Sequence, residues 1–508
     1  MMDRESVRLD GEGRAALDAL LLLIILNFAL QPLTEPDFGW HLRTGLDVLR
    51  HGWTLPATDP YSHTMPDWPW VEHAWLTDVV LGLIYSGWGG LGVILLFGCV
   101  TAGAWLLASS VASSPRFYRW LACAFSLWVA LPYLGARTQL ISLLGIAVLM
   151  RILSRQDRRW WWAVPGIFLL WANLHGGFTA GLSFLGIIAV ATWTVQWLLG
   201  RVPALSSRLD EPILSQKDLL NLVLIMAISA AMTMVNPYGW RLYAEILDSL
   251  SNQFMLATLQ EWQPISLDTI AGRSYALYLA GLAIAMLLWY RRFEPVQWAV
   301  WSFFLLLSMR HMRNIPLFLI VSLPLCAELL ATAFGYVMSR VRAGRIAVKS
   351  WTSCMTVAVA VFLTWLGPDH LQHVVHSGTR TEQFFRSTSY PIEAVEWIRA
   401  HRDRLGTRLY NDYAYGGFLL WWLPDEKIFI DGRMPAWRIG DRHIFEDYMA
   451  LTVQDPPVLP LLDKYSVDWA LVRHLNHLDR ALRQHPNWAQ TYSDEKVSIY
   501  ARVLSARE

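Results

Sequence analysis

Residues 74–88, AWLTDVVLGLIYSGW, form an apolar stretch whose placement decides how the rest of the chain is threaded through a membrane. The stretch carries one carboxylate, Asp78, and it ends at Gly89-Gly90. As a helix it would be about 22 Å long, which is short for a hydrocarbon core of about 30 Å. Whether it crosses the bilayer must therefore be decided from the segments on either side.

The composition of the chain indicates a membrane protein. Of the 508 residues 54% are hydrophobic and only 16% are charged, whereas soluble proteins carry about 25% charged residues. The net charge of +1 gives no reason to expect a nucleic-acid partner. Eleven other apolar runs are predicted to be transmembrane helices: 15–32, 91–111, 118–135, 138–154, 160–175, 179–199, 218–235, 275–290, 294–309, 314–337 and 350–367.

Arginine and lysine counts decide the role of 74–88. If it does not span, the N-terminal segment and every second loop hold 18 Arg and Lys residues, and the opposite loops hold seven. Cytoplasmic loops carry the excess of these residues, and a spanning 74–88 would reverse every later loop. The stretch is therefore predicted to be a membrane-surface helix. The N-terminus is then cytoplasmic, and the first loop, 33–90, is extracytoplasmic.

Residues 369–508 change character, because charged residues return and the apolar runs shorten. Helices are predicted near 391–403, 440–450 and 477–485, and strands near 407–411, 427–431, 469–473 and 496–503. The sequence thus predicts a mainly α, polytopic bundle of about eleven helices over 1–368, followed by an extracytoplasmic α/β domain over 369–508.

The first loop is the segment richest in chemical groups. It combines carboxylates and imidazoles, which can act as general base or hold a divalent cation such as Mg²⁺ or Mn²⁺. Its tryptophans can bind sugar rings or anchor the loop at the membrane interface. For any single residue of this loop, the alternative that it is an ordinary solvent-exposed residue without a function stays open. The candidates are Asp37, Glu72 and His73 for catalysis, and Trp40 and His41 for substrate.

Arginines at the extracytoplasmic ends of membrane helices can bind a phosphate through bidentate hydrogen bonds. Arg310 and Arg313 flank His311 in one short turn, and Arg137 opens another span. Snorkelling to lipid headgroups is the alternative interpretation for any single arginine. His175 before Gly176-Gly177 and Asn236 in NPYGW are candidate substrate-binding residues at the same edge.

Two motifs stand out after residue 400. NDYAYGG contains Asp412 and Tyr413, and IFIDGR contains Asp431 and Arg433. A carboxylate at the end of a predicted strand is a common place for a binding residue, although an ordinary Asp-Gly turn has the same pattern. We include these four residues among the candidates for substrate binding.

Together these features resemble the GT-C superfamily of integral-membrane glycosyltransferases. PDFGWHLRTG, ATDPYSHT, PWVEHAWL, NLHGGF, NPYGW, RNIPLF and NDYAYGG…IDGR are similar to a group of uncharacterised bacterial GT-C-like membrane proteins. The resemblance implies transfer of a sugar from a polyprenyl-phosphate donor to an extracytoplasmic lipid, glycan or protein, with inversion. It also implies a bacterial inner-membrane location.

In that superfamily the first-loop acid, here Asp37, acts as base or metal ligand. The resemblance implies that the phosphate of the donor is bound by Arg310, Arg313 and Arg137. Many relatives have a second acid close by, whereas Phe-Gly-Trp-His follows Asp37 here. Glu35, His41, Glu72 or His73 would have to replace it.

Two other functions stay open from the sequence. A transporter or flippase of lipid-linked substrates would need ionisable residues or paired broken helices within its spans, and the central thirds of these spans hold almost no ionisable residues. A non-catalytic assembly factor for envelope glycans would use the C-terminal domain for docking.

Overall fold

A computed structural model describes residues 11–202, 214–289, 294–341, 367–453, 458–474 and 476–503. They form two compact units. Unit 1 consists of Met1–Gln31, Leu95–Gly239 and Leu259–Gln372, and unit 2 of Pro32–Ile94, Trp240–Thr258 and His373–Glu508. The first loop therefore clusters with the C-terminal segment. The predicted boundary between residues 368 and 369, which separates membrane from soluble parts, stays a prediction.

Unit 1 is helical throughout its described part. Its α-helices are Gly11–Ala29, Arg116–Ala130, Gln139–Leu153, Val164–Leu174, Phe178–Arg201, Gln216–Met232, Ile270–Trp289, Pro295–Arg310 and Ile315–Val341, with 3-10 turns at Leu131–Tyr133, Arg158–Ala163, Gln260–Trp262 and Met312–Asn314. Residues 95–109 of a tenth helix, Trp75–Ser109, also belong to unit 1. Helices occupy ten of the eleven predicted spans, which confirms the type of these elements. The eleventh, 350–367, lies outside the described residues except for its last position.

Local signals in the sequence set where several of these helices begin. The Ser215 hydroxyl accepts a hydrogen bond from the Asp218 amide (3.1 Å), and the Asp218 carboxylate accepts one from the Ser215 amide (3.4 Å). This reciprocal cap fixes the start of the Gln216–Met232 helix. Proline occupies the first turn of the Pro295–Arg310 helix, where its missing N–H leaves no helical bond unmade.

Four described helices are long and apolar enough to cross a membrane: Trp75–Ser109, Phe178–Arg201, Ile270–Trp289 and Met312–Tyr336. Several other predicted spans are shorter helices. Arg116–Ala130 and Gln139–Leu153 have 15 residues each, about 22 Å of helix. The count of about eleven transmembrane helices is therefore not confirmed.

Large aliphatic side chains lie on the surface of unit 1. The exposed fraction is 81% for Ile270, 79% for Leu287 and 65% for Leu220. Leaving such side chains in water costs about 1.5–3 kcal/mol each, whereas lipid tails solvate them without that loss. The apolar helices and these exposed side chains identify a membrane protein.

The Trp75–Ser109 helix is interrupted at Gly89, where φ is +61° and ψ is −155°. Residues other than glycine rarely adopt this conformation. The structure thus separates a helix over 75–88 from the apolar helix that follows, as the Gly89-Gly90 pair predicts. The position of 74–88 at the membrane surface stays a prediction.

Unit 2 contains a four-stranded sheet and a short hairpin. The strands are β1 (Leu409–Asn411), β2 (Arg438–Ile439), β3 (Arg442–His443), β4 (Trp469–Arg473), β5 (Trp488–Ser493) and β6 (Val497–Arg502). The sheet order is β1-β4-β6-β5, with β1 and β4 parallel and the other pairs antiparallel. The hairpin pairs β2 with β3.

Unit 2 also contains the helices Phe38–Arg50, Arg241–Ser251, Gln253–Thr258, Thr381–Arg386, Ile392–Ala400, Gly416–Trp422, Ile444–Val453, Val458–Lys464 and His477–Gln484, with 3-10 turns at Arg402–Arg404 and Tyr413–Tyr415. A further helix covers 367–379. The three helices predicted after residue 390 are confirmed. The second begins only at Ile444, because Arg438–His443 forms the β2–β3 hairpin.

The predicted strand over 427–431 is wrong, and the other three predicted strands are confirmed. Ile428 makes only an isolated parallel bridge with Ser62 of the first loop. The Ile428 amide donates to the Tyr61 carbonyl at 3.0 Å, and the His63 amide donates to the Ile428 carbonyl at 3.1 Å. The apolar segment therefore bonds to the first loop instead of joining the sheet.

Candidate active site

Two glycine motifs meet where the Phe38–Arg50 helix begins. A β-carbon on Gly39 would lie 1.9 Å from the Gly417 carbonyl oxygen, and one on Gly417 would lie 2.1 Å from the Pro36 carbonyl oxygen. Only glycine allows this helix to pack so closely against the Gly416–Trp422 helix. The PDFGW and NDYAYGG motifs, far apart in the chain, are thus neighbours in unit 2.

Asp37 lies at the N-terminus of the same helix and rests against the IDGR motif. The Trp40 indole Nε1 donates to Asp37 Oδ1 at 3.2 Å. A β-carbon on Gly432 would lie 2.0 Å from that oxygen, so the Gly432 backbone limits where the carboxylate can lie. The Asp37 residue is partly exposed and occupies the N-cap position of the helix. Asp37 is therefore an oriented carboxylate that solvent can reach.

Three buried side chains converge beside this helix. His41, Glu72 and Asp78 each offer a ligand atom, and these atoms all lie within 4.8 Å of one another. His41 Nδ1 lies 2.6 Å from Asp78 Oδ1. The Ala74 amide donates to Glu72 Oε1 at 3.0 Å. We call these three residues the buried cluster.

Burial decides the protonation states in this cluster. It lowers the pKa of His41 to about 4, because the imidazolium would lose its hydration, and the nearby Glu72 carboxylate opposes this shift. It raises the pKa of Glu72 to about 8, and the Asp78 carboxylate raises it further. Burial therefore favours the uncharged forms of both His41 and Glu72.

The buried cluster fits a divalent cation. Within the described part of the chain, Asp78 Oδ2 is a buried acceptor that has no hydrogen-bond partner. One imidazole and two carboxylates are ligands that zinc and manganese accept. Asp37 is outside this group, and its role as a metal ligand stays a prediction.

A second buried group links the first loop to the IDGR motif. Arg433 Nη2 lies 2.6 Å from Asp431 Oδ2, and Arg433 Nη1 lies 2.9 Å from Asp59 Oδ1. Asp59 also accepts the Ser62 amide at 2.8 Å. We call Asp59, Asp431 and Arg433 the charge triad.

The charge triad is enclosed by aromatic rings. The Arg433 guanidinium lies 5.2–5.8 Å from the ring centroids of Trp40, Tyr61, Trp70 and Trp437. Burial raises the pKa of Asp431, and the adjacent guanidinium opposes this rise. Aromatic faces and two carboxylates together compensate the lost hydration of one buried cation. The triad therefore holds the segment that contains Gly432 in place against the first loop.

Asp412 and Tyr413 follow β1 and lie in another group. Asp412 Oδ1 accepts the Ala414 amide at 3.1 Å and lies 3.4 Å from Arg473 Nη2. Burial raises the pKa of Asp412, and Arg473 opposes this rise. Tyr413 packs its ring against that of Phe445, with centroids 5.5 Å apart. These contacts hold the turn after β1, and the predicted role in substrate binding stays a prediction.

The three predicted phosphate-binding arginines are all in unit 1. Arg310 is exposed, and Arg137 is partly buried. Arg313 lies 2.9 Å from the Glu261 carboxylate and 4.2 Å from the Trp262 ring centroid. A phosphate at Arg313 would therefore have to compete with a carboxylate already paired with it.

His175 and Asn236, also in unit 1, have well-defined local partners. His175 Nδ1 lies 2.7 Å from the Ser142 hydroxyl and accepts the Gly177 amide at 3.0 Å. The Asn236 side chain accepts the Tyr238 amide at 2.8 Å and so closes the NPYGW turn. These bonds fix both side chains locally, and their predicted contact with substrate stays a prediction.

Sequence reasoning did not select three residues of these groups: Asp59, Asp78 and Gly432. A signal existed for Asp78, because a carboxylate within an apolar helix usually has a specific partner. Asp59 was one of several acids in a long loop. Its pairing with Arg433 joins residues far apart in the chain, which no local pattern indicates.

The chain matches no protein-family model and no curated protein. Among solved structures it is similar to an oligosaccharyltransferase of Archaeoglobus fulgidus with a tethered acceptor peptide, at 12% identity and a TM-score of 0.52, covering 97% of this chain and 74% of the other. Archaeal AglB from the same organism, in complex with an inhibitory peptide and a dolichol-phosphate, is 10% identical with a TM-score of 0.52, covering 91% and 69%. ArnT from Cupriavidus metallidurans in the apo state is 15% identical with a TM-score of 0.50, covering 97% and 98%. At these identities the likeness shows the fold alone, and it agrees with the fold that the sequence resemblance predicts.

Proposed function

We propose that this protein is a membrane glycosyltransferase that moves a sugar from a polyprenyl-phosphate donor to an extracytoplasmic acceptor. The GT-C fold supports the reaction class. One archaeal neighbour was solved with a dolichol-phosphate, which supports a lipid phosphate as the leaving group. The acceptor class stays open between lipid, glycan and protein.

The placement of Asp37 is the observation that carries this proposal. Its carboxylate is partly exposed and is held by the Trp40 indole on one side and the Gly432 backbone on the other. A general base needs this combination of access and fixed orientation. Glu72, by contrast, is only 4% exposed. Among the predicted catalytic acids, Asp37 is therefore the one that a bound acceptor can reach.

The proposed reaction is a single displacement. Asp37 accepts the proton of the acceptor hydroxyl or amine while the acceptor atom bonds to the anomeric carbon. The bond from that carbon to the phosphate oxygen breaks, and polyprenyl phosphate leaves with the electron pair. Attack opposite to the leaving group inverts the configuration, by the logic of inverting sugar chemistry. Arg310, Arg313 and Arg137 would stabilise the phosphate charge.

The other predicted site residues have supporting roles in this proposal. Trp40 is buried and stacks on His41 with ring centroids 3.5 Å apart, so it positions Asp37. The His73 side chain is 39% exposed, and its Nδ1 lies 3.7 Å from Glu72 Oε1. His73 can therefore contact an acceptor from the same loop. If a divalent cation is bound, His41, Glu72 and Asp78 would hold it, and its charge would neutralise these carboxylates.

The test is donor consumption by purified protein in detergent. A polyprenyl-phosphate hexose labelled in the sugar is supplied with bacterial envelope extract as acceptor, and loss of the intact labelled donor is followed by chromatography. Asp37→Asn should reduce the rate about 100-fold or more. Asp67→Asn is the matched control, because Asp67 is a first-loop carboxylate whose side chain is 75% exposed. Equal rates for Asp37→Asn and Asp67→Asn would exclude Asp37 from catalysis.

A further inference from the structure

We propose that His41, Glu72 and Asp78 form a closed structural site for one zinc-class divalent ion. The proposal concerns a metal that holds the Phe38–Arg50 helix and the helix of Asp78 together. It is independent of the glycosyl transfer proposed above, since a protein of another function can carry the same site.

The first argument is the unsatisfied chemistry of the cluster. Two carboxylates lie where water cannot reach them, and Asp78 Oδ2 has no hydrogen-bond partner among the described residues. An unpartnered buried acceptor destabilises the folded state, and it does so more strongly when it is charged. A cation bound between His41, Glu72 and Asp78 supplies the missing partner and balances both carboxylates.

The second argument is how rigidly the ligands are presented. A β-carbon on Gly45 would lie 1.7 Å from the Asp78 carbonyl oxygen, and one on Gly82 would lie 2.9 Å from the Gly45 carbonyl carbon. These glycines let the Phe38–Arg50 helix contact the helix of Asp78 directly. That contact brings His41 Nδ1 within hydrogen-bond distance of Asp78 Oδ1 (2.6 Å), so the unpartnered Oδ2 is the oxygen that Asp78 would offer to the metal. The ligands thus come from elements held in place by backbone packing.

The third argument concerns the choice of metal. Imidazole nitrogen favours zinc over magnesium or calcium, which prefer oxygen ligands and keep several waters. His41, Glu72 and Asp78 are 4%, 4% and 0% exposed, so the site is closed. Closed zinc sites are four-coordinate, and one carboxylate that binds through both oxygens completes that number.

The direct test is metal content. Full-length protein purified in detergent without added chelator should contain about one zinc or other first-row divalent ion per chain by mass spectrometry. Stripping with 1,10-phenanthroline should lower Tm by about 5 °C, and zinc chloride should restore it. Cobalt chloride added to stripped wild-type protein should give visible absorption bands of a four-coordinate ion. The cobalt measurement needs no variant, so it applies even if substitutions prevent folding.

Variants then identify the ligands. Asp78→Asn, Glu72→Gln and His41→Gln should each lose the metal and the cobalt bands. His63→Gln and Asp412→Asn are matched controls, because they replace a half-buried and a buried titratable residue of unit 2 outside the cluster. Wild-type protein without metal, no response of its Tm to zinc, or equal metal loss in the controls would each overturn the proposal. Donor consumption is measured separately, so failure of the proposed transfer leaves these readouts unaffected.

Discussion

Gly432→Ala should disable Asp37 without unfolding the protein. The added β-carbon would lie 2.0 Å from Asp37 Oδ1, whereas ordinary contact begins at 3.4 Å. The carboxylate must therefore move by about 1.4 Å, from 3.4 Å minus 2.0 Å, and it also loses the Trp40 indole hydrogen bond. Displacement of a catalytic group by about 1 Å lowers the rate about 100-fold, or about 2.7 kcal/mol in transition-state free energy.

The effect on stability should be much smaller. The atom that is displaced lies at the end of the Asp37 side chain and can rotate away, and Gly432 does not need a positive φ. We expect the free energy of unfolding to fall by about 1 kcal/mol, at the low end for overpacking. Thermal unfolding in detergent measures this, beside the donor-consumption rate on the same preparation.

Two controls separate positioning from general damage. Gly87→Ala places a β-carbon with no atom within 4 Å, so it should keep the full rate and an unchanged or higher Tm. If Gly432 acts through Asp37, the double variant Gly432→Ala with Asp37→Asn should be no slower than Asp37→Asn alone. A Gly432→Ala rate within about threefold of wild type, or multiplied losses in the double variant, would refute the reasoning.

Three further outcomes follow from the structure. Arg433→Met should lower the free energy of unfolding by about 3–5 kcal/mol, seen as a large drop in Tm, because two carboxylates stay buried without their cation. Burial lowers the pKa of His63 to about 4, so between pH 6.5 and 4 only the unfolded state takes up a proton at this residue. The free energy of unfolding should therefore fall by up to about 3 kcal/mol as the pH drops from 6.5 to 4. His63→Gln should remove this part of the pH dependence of Tm. Gly177→Ala would place a β-carbon 2.3 Å from Ser142 Oγ and should lower stability by about 1–3 kcal/mol, whereas Gly281→Ala, with nothing within 4 Å, should not.

Helices could be predicted from the sequence because lipid leaves the backbone few alternatives. In lipid there is no water to bond to the backbone, so an apolar segment must form the hydrogen bonds of its N–H and C=O groups internally, as a helix does. Ten predicted runs are helical in the structure. The number of crossings is harder to predict, because a helix of 15 residues such as Gln139–Leu153 can end within the bilayer or be extended by turns on either side.

The wrong strand at 427–431 shows what local patterns cannot reveal. The Phe429 amide donates to the Asn411 side chain at 2.8 Å, and the Phe429 carbonyl accepts the Thr64 hydroxyl at 2.7 Å. The segment has the composition of a buried strand, but side chains of other segments satisfy its backbone groups. Only the fold brings these partners together.

The same limit applies to the candidate site. The sequence groups Asp37, Glu72 and His73 because they share one loop, and burial then separates them. Asp37 is partly exposed at a helix terminus, whereas Glu72 is sealed with His41 and Asp78. Which carboxylate is exposed depends on packing between helices, which residue types alone do not determine.

The charge triad explains why a buried cation is retained beside a candidate catalytic acid. Two carboxylates and one guanidinium leave a net charge of −1, so the group is not the most stable filling for an apolar interior. Its geometry, however, is specific: Arg433 bonds to both oxygens of Asp431 and to Asp59 in the first loop. An apolar core could let the loops slide, whereas these directional bonds fix Gly432. The backbone of Gly432 in turn limits the position of Asp37. Burying the triad therefore costs free energy, but it orients the carboxylate that the proposed reaction requires.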